Sequence, residues 1–309
     1  MAIAFDSSTI GGNNVTSYSH TCTGSDRILF VSVANRNFNT SSVTYNGVPL
    51  TLIGSQLNCQ GHAGLQLWYL INPASGANNI VLNGGEFNSV AASYTGVAQT
   101  GAIDSTAQGS DADTSTTVST TVVASNCWLV GAGWCFGTSP STNKTLRGSG
   151  TFYYNNETAF LIDSNGPVGT GLQSAQFNGS NSVGTGGVLA SFAPVPPVVA
   201  PTVTTQSATN IAQTTCTGNG NITATGGANC TRRGFCYKTG TSGDPTVSDS
   251  VAYDDGNFGT GAFTKSITGL TPNTSYRVRA YAVNSAGTSY GTTVDVKTLS
   301  AFIPRTMWF

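Results

Sequence analysis

The sequence predicts an all-β chain, a jelly-roll-like β-sandwich followed by an immunoglobulin-like β-sandwich. Three observations lead there. Charged residues make up 8% of the 309 residues, far below the roughly 25% of an average soluble domain. Short apolar or alternating runs recur, separated by Gly, Asn and Pro, as strands separated by turns require. No long Ala/Leu/Glu/Lys stretch carries a helical period.

The N-terminal region, residues 1–193, is read as one sandwich. "RILFVSVA" (Arg27 to Ala34) is a continuous apolar run, suited to a strand buried on both faces. In "VTYNGVPLTLI", Val43 and Tyr45 alternate before Asn46-Gly47, and Val48, Leu50 and Leu52 after it, which is a hairpin signal. "LQLWYLINP" is a strand stopped by Pro73. "NNIVLN", "SVAASYTGV", "NCWLVGAGW", "TFYYNNETAFLI" and "GGVLASFAP" continue the series, and "GSDADTSTTVSTT" reads as a polar loop entering a strand.

Residues 194–201 lie within "APVPPVVAP", which has four prolines in nine residues and reads as a stiff spacer. Residues 202–298 hold about seven strand signals, the count of an immunoglobulin-like sandwich. In "TSYRVRAYAVNSAG", Tyr276, Val278, Ala280 and Ala282 alternate before a turn at Asn284 to Gly287. Residues 299–309 form an apolar tail.

Two resemblances follow from these motifs. "GLTPNTSYRVRAYAVNSAGTSYG" resembles the end of a fibronectin type III domain, with Leu270 and Pro272 at a corner and Tyr276 placed for a tyrosine corner. "GNITATGGANCTRRGFCY" and "SGDPTVSDS" are similar to the variant found in bacterial surface and phage structural proteins. The order "DRILFVSVA", "VTYNGVPLTLI", "LQLWYLINPASGANNIVL", "SYTGVAQTGAID" resembles a β-sandwich module of environmental bacterial and phage sequences. Such modules are similar to capsid decorations and tail fibres.

Signals for chemistry are few. The two histidines, His20 and His62, sit in polar, turn-like contexts outside any nucleophile or metal motif and are read as surface residues. Asp104, Asp111 and Asp113 are read as a solvated loop, with a loop calcium site as the alternative. Asp254-Asp255-Gly256 reads as a turn. Neither a cofactor nor a metal is expected, and no enzyme activity. Seven cysteines leave at least one unpaired. The leading reading is small buried thiols, with Cys216–Cys230 as the candidate disulfide. Trp68 and Trp128 are read as core residues. Tyr153 and Tyr154, beside Asn155-Asn156, are the candidate exposed rings for a glycan.

The tail "SAFIPRTMWF" has two readings. Phe302, Ile303, Met307, Trp308 and Phe309 either dock on a partner or fold back on their own domain. A net charge of −1 gives no footprint for nucleic acid, and no segment approaches a membrane span. "MAIAFDSSTIGGNN" has no signal-peptide pattern, so exit by another route or by lysis, as in a virus particle, is expected. Together these readings imply a non-enzymatic accessory structural protein of a phage virion, a capsid decoration or tail-fibre component, at the extracellular virion surface. Its expected partners are other virion structural proteins, further copies of itself and a host-surface glycan. The alternative is a carbohydrate-binding or adhesin module of a bacterial surface protein.

Overall fold

The computed structural model describes residues 2–35, 40–59, 63–84, 87–137, 142–151, 157–180 and 184–301. Every helix or strand assigned among them is a strand, and the chain divides into two compact units, Met1–Pro196 and Pro197–Phe309.

The first unit begins with β1 (Ala4–Ile10), β2 (Ser17–Cys22), β3 (Ile28–Asn35), β4 (Ser42–Tyr45), β5 (Val48–Pro49), β6 (Thr51–Cys59), β7 (Ala63–Ile71), β8 (Gly76–Asn83) and β9 (Phe87–Thr95). They form two antiparallel sheets, β1-β9-β3-β7-β6 and β2-β8-β4-β5. The pairs are nested, β1 with β9, β2 with β8, β3 with β7 and β4 with β5. A ribbon paired this way and folded over is a jelly roll. The Asn46-Gly47 turn joins β4 to β5 with φ of 51° and 75°, as a type I′ hairpin demands.

The same plan then recurs. β10 (Ile103–Asp111), β11 (Ser115–Val122), β12 (Trp128–Phe136), β13 (Thr145–Thr151), β14 (Glu157–Asp163), β15 (Gly171–Asn178) and β16 (Thr185–Phe192) form β10-β16-β12-β14-β13 and β11-β15. So the N-terminal unit holds two jelly-roll halves, a division the sequence reading did not draw. The halves correspond residue by residue. Thr51-Leu52-Ile53-Gly54-Ser55 matches Thr145-Leu146-Arg147-Gly148-Ser149, and Ala92-Ser93-Tyr94 matches Ala190-Ser191-Phe192. Register shifts fall at equivalent places, Phe5/Ser7 with Ile103/Ser105 and Leu52/Gly54 with Leu146/Gly148. A Cβ on Gly54 would lie 2.9 and 3.2 Å from Gln108 and Val188. On Gly148 it would lie 2.9 and 3.2 Å from Val90 and Ile10, the equivalents of Val188 and Gln108. That reciprocity is a pseudo-two-fold axis between the halves. Among the described residues, only the first half has the β4–β5 hairpin.

The halves pack back to back, giving four layers and three cores. The central core holds Phe30, Tyr94, Trp128, Trp134 and Phe192, the outer ones Tyr45 with Trp68 and Phe160 with Phe177. Every residue of β3, β14 and β16 is buried. This is why β3 and β16 read as largely small or apolar runs while β11 alternates. Glycines in β12 and β16 make room for rings: Phe160 lies against Gly133, and Phe177 against Gly131 and Gly187. Across the central core, Asp163 is fully buried. It accepts from Tyr94 Oη at 2.7 Å and from Arg147 Nε and Nη2 at 2.5 and 2.9 Å, and the Arg147 guanidinium stands 3.9 Å from the Phe5 ring centre.

The second unit is a seven-stranded immunoglobulin-like sandwich with the strand order of a fibronectin type III domain. β17 (Thr202–Thr209), β18 (Thr215–Ala224) and β21 (Gly261–Thr268) face β20 (Ser250–Phe258), β19 (Cys230–Thr239), β22 (Ser275–Asn284) and β23 (Gly287–Lys297). Tyr276, Val278, Ala280 and Ala282 enter its core. The Tyr276 hydroxyl accepts from Thr271 N–H at 2.9 Å, closing the expected tyrosine corner. Asn284, at the end of β22, donates to Val199 and Thr225 carbonyls and accepts from Ala286 N–H at 2.8 Å. Within the proline-rich stretch, Val195 N–H bonds Gly96 and Val199 N–H bonds Gly226. Each end is thus stitched to its own unit.

Candidate functional site

Chemistry-bearing side chains meet in the first half between β1, β2 and β9. Strand alternation points His20 and Cys22 of β2 inward. His20 is 1% exposed and Ser93 is fully buried. His20 Nε2 lies 3.1 Å from Ser93 Oγ, and Nδ1 lies 2.9 Å from Thr9 Oγ1. Ser93 donates to Asp6 Oδ2 at 2.8 Å. Asp6 also accepts from the Thr23 N–H at 2.8 Å and from its hydroxyl. The surface reading of His20 is therefore corrected: alternation along Tyr18-Ser19-His20-Thr21-Cys22 carried the signal. His62 lies outside the described residues.

Asp, Ser and His together pose the question of a nucleophile. The proton order answers it. A serine hydroxyl has one proton, and Ser93 spends it on Asp6. Toward His20 it can only accept, so Nε2 carries the hydrogen and Nδ1 takes the Thr9 hydroxyl proton. An activated serine gives its proton to the imidazole, and the carboxylate orients that imidazole. Here the serine sits between the two, and the imidazole donates.

The equivalent place in the second half holds the same device. Ser191 donates to Asp104 Oδ2 at 3.0 Å, and Asp104 accepts from the N–H groups of Val123 and Ala124 at 2.9 and 3.0 Å. Ser105 lies 2.7 Å from Ser191, and Thr120 donates to Ser105 at 2.9 Å. Thr120 occupies the position of His20. Each aspartate sits at the register shift of its edge strand and ties it to the chain leaving the next strand. Burial pushes both carboxyl pKa values up. The hydrogen bonds outweigh it, from Thr23 and Ser93 at Asp6 and from Val123, Ala124 and Ser191 at Asp104, and both end below the usual value. Burial lowers the His20 pKa to about 4, against a pull upward from Asp6, so the ring is neutral at pH 7. A network present twice, once without histidine, is a structural lock.

The other candidates named from the sequence fall as follows. Asp104 and Asp111 stand at opposite ends of β10, roughly 23 Å apart along the strand. They form no loop cluster, and no group of three His, Cys, Asp or Glu side chains converges among the described residues. Asp254 and Asp255 lie within β20, not in a turn. Asp255 pairs across strands with Arg232 of β19 at 2.6 Å, and Asp254 pairs with Lys265 of β21 in the facing sheet at 2.5 Å. Cys216 and Cys230 are free buried thiols. β18 and β19 run in opposite directions, so the two sit at opposite poles of the sandwich. The length of β18 between them is roughly 25 Å, beyond disulfide reach. Trp68 and Trp128 are core residues, each 8% exposed. Tyr153, Tyr154, Phe302, Ile303, Met307, Trp308 and Phe309 lie outside the described residues.

What the second unit shows to solvent is an arginine–tyrosine face on β20-β19-β22-β23. Arg232 holds Asp255 with two bonds, at 2.6 and 3.0 Å, and stacks 4.0 Å from the Tyr253 ring centre. Arg279 covers Tyr290 on the same face, and the Tyr281 ring, 6.4 Å from that of Tyr290, is itself buried. Nothing in the sequence marked these residues except their alternation with the core positions Val278, Ala280 and Ala282.

No protein-family model matches the chain, and no curated protein does. Among solved structures, the chain is similar to the sensor domain of the anti-sigma factor RsgI4 in Pseudobacteroides cellulosolvens. Identity is 18% over 35% of this chain and 81% of that one, with a TM-score of 0.27. Domains FN1–FN3 of chicken CNTN1 match at 12% identity over 91% of this chain and 98% of that one, TM-score 0.25. Titin domains A168–A170 match at 11% over 97% and 100%, TM-score 0.24. At such scores the fold rests on the strand order and pairing described above.

Proposed function

We propose that the chain is a non-enzymatic accessory structural protein of a phage virion, a capsid decoration or tail-fibre component displaying β-sandwich domains at the particle surface. The duplicated polar lock is the observation that carries it. The place where Asp, Ser and His meet is built for cohesion, with its proton order reversed for nucleophilic attack and its serine buried. The rest of the architecture fits display: three sandwiches in one chain, low charge, and outer sheets faced with Ser, Thr and Asn. The resemblance of the sequence motifs to phage modules is what favours a virion among display roles. Immunogold labelling of particles purified from a lysate tests the proposal. Gold at regular positions on the particle surface is expected. Gold on cell envelopes and none on particles would replace the proposal with the bacterial adhesin reading, for which the solvent-facing Arg232–Tyr253 stack is the supporting observation.

A further inference from the structure

The second unit carries a groove of about 460 Å³ where the edge strands β17 and β23 meet. Arg277, Arg279, Tyr290, Thr293, Asp244 and Thr204 line it. The sheet builds it locally. A register shift between Arg279 and Tyr281 makes β23 bulge at Gly291. The Gly291 carbonyl accepts from Arg279 Nε at 2.6 Å, and the guanidinium lies 4.8 Å from the Tyr290 ring centre. Arg279 is thus held at one nitrogen and along one face. Among the described residues no hydrogen bond engages its two terminal nitrogens.

Arg277 is less satisfied. Its Nε is buried with no hydrogen-bond acceptor among the described residues. The nearest carboxylates, Asp295 to Nε and Asp244 to Nη2, both stand at 3.4 Å. That is an ion-pair distance, well beyond the 2.7–2.9 Å of a charge-assisted hydrogen bond. Asp244 itself is held by the Thr293 hydroxyl at 2.8 Å, and its side chain is 57% exposed. A buried guanidinium donor without an acceptor is costly and uncommon. Two such forks side by side present a geometry that a carboxylate fills with paired bonds.

We propose that this groove binds the carboxylate of an acidic sugar unit. The two arginines take the carboxylate, with Asp244 as the internal competitor that the ligand displaces. The hydroxyls of Thr204 and Thr293 suit a polyhydroxylated ligand. The groove is open, and Val203 is the one aliphatic side chain in its lining, so it has no deep apolar recess to anchor a peptide. The inference goes beyond the display role and stands whether or not the chain belongs to a virion.

Titration calorimetry of the full chain with trigalacturonate at low salt tests it, beside a neutral galactose trisaccharide and triglutamate. Saturable binding of trigalacturonate that weakens with salt is expected. Affinity should fall by about tenfold or more in Arg279→Gln, since charge-assisted bonds are lost. It should fall in Arg279→Lys too, which keeps the charge without the fork. Asp244→Asn should tighten binding several-fold, which a purely structural ion-pair ladder would not do. Arg279→Lys and Asp244→Asn keep the test open if Arg277 variants fail to fold. Absence of saturable trigalacturonate binding, equal binding of the neutral trisaccharide, or unchanged affinity in Asp244→Asn would overturn the proposal. Tighter binding of triglutamate would overturn it too, by reassigning the groove to acidic peptide.

Discussion

His20 makes the first unit acid-sensitive, by an amount that follows from its surroundings. Ser7, Thr9 and Ser93 contact the ring nitrogens and Asp6 acts through its charge, but desolvation dominates, lowering the pKa from 6.5 to about 4. The sign is set by linkage. Below pH 6.5 the unfolded chain takes up a proton that the folded chain refuses until about pH 4, so stability falls as pH falls through that window. Full titration corresponds to about 3 kcal/mol, at 1.36 kcal/mol for each pKa unit. At about pH 5, above most carboxylate titration, roughly 2 kcal/mol of it has been lost relative to pH 7. For a unit of this size that is a fall in Tm of about 4–8 °C. The variant His20→Thr copies Thr120 from the second half, where the network works without an imidazole. Its Tm should be nearly flat between pH 7 and pH 5, apart from a contribution of His62, which His62→Gln removes. Tryptophan fluorescence follows the transition, since Trp68, Trp128 and Trp134 all belong to the first unit. If wild type and His20→Thr lose equal stability over that range, the buried neutral histidine is refuted.

The remaining predictions concern packing and pairing. Arg147→Met strands the buried Asp163 carboxylate and should cost about 3–5 kcal/mol in urea denaturation, while Arg147→Met with Asp163→Leu should recover most of it. Gly133→Val drives a side chain into the Phe160 ring, and a loss of about 1–3 kcal/mol or more is expected, seen as a lower Tm. Tyr276→Phe orphans the Thr271 N–H and should lower the urea midpoint of the second unit by the equivalent of about 1–2 kcal/mol, followed by circular dichroism. Burial pushes Cys127 and Cys236 to about 11 and Cys135 to about 12. These thiols should ignore a disulfide reagent at pH 8 in the folded chain and react once urea unfolds it.

The fold is legible where alternation and turn chemistry speak locally. Asn46-Gly47 names its hairpin, and the Tyr276 alternation names the strand, its inward face and its corner. The duplication is not legible. Its matching tokens are as short as Thr-Leu-x-Gly-Ser, and the hairpin β4–β5 breaks the even spacing that reveals a repeat. The aspartates escape sequence reading for a related reason. Asp104 and Asp255 look like loop residues because carboxylates avoid strands, but one sits at a bulge capping backbone N–H groups and the other pairs across an exposed sheet face. His20 escapes it because a single histidine among Ser, Thr and Tyr looks polar all round, and only pairing with β8 and cover from β1 and β9 bury it. The arginine groove depends on a bulge at Gly291 and on β17 meeting β23, neither of which has a local signature.

The most direct test of the central claim, that the Asp–Ser–His cluster is a lock and the chain works without turnover, is labelling of the native protein with a fluorophosphonate, read by peptide mass spectrometry. The account predicts no adduct on Ser93 or Ser191. An adduct on Ser93 that disappears in His20→Thr would contradict it and make the cluster a reaction centre.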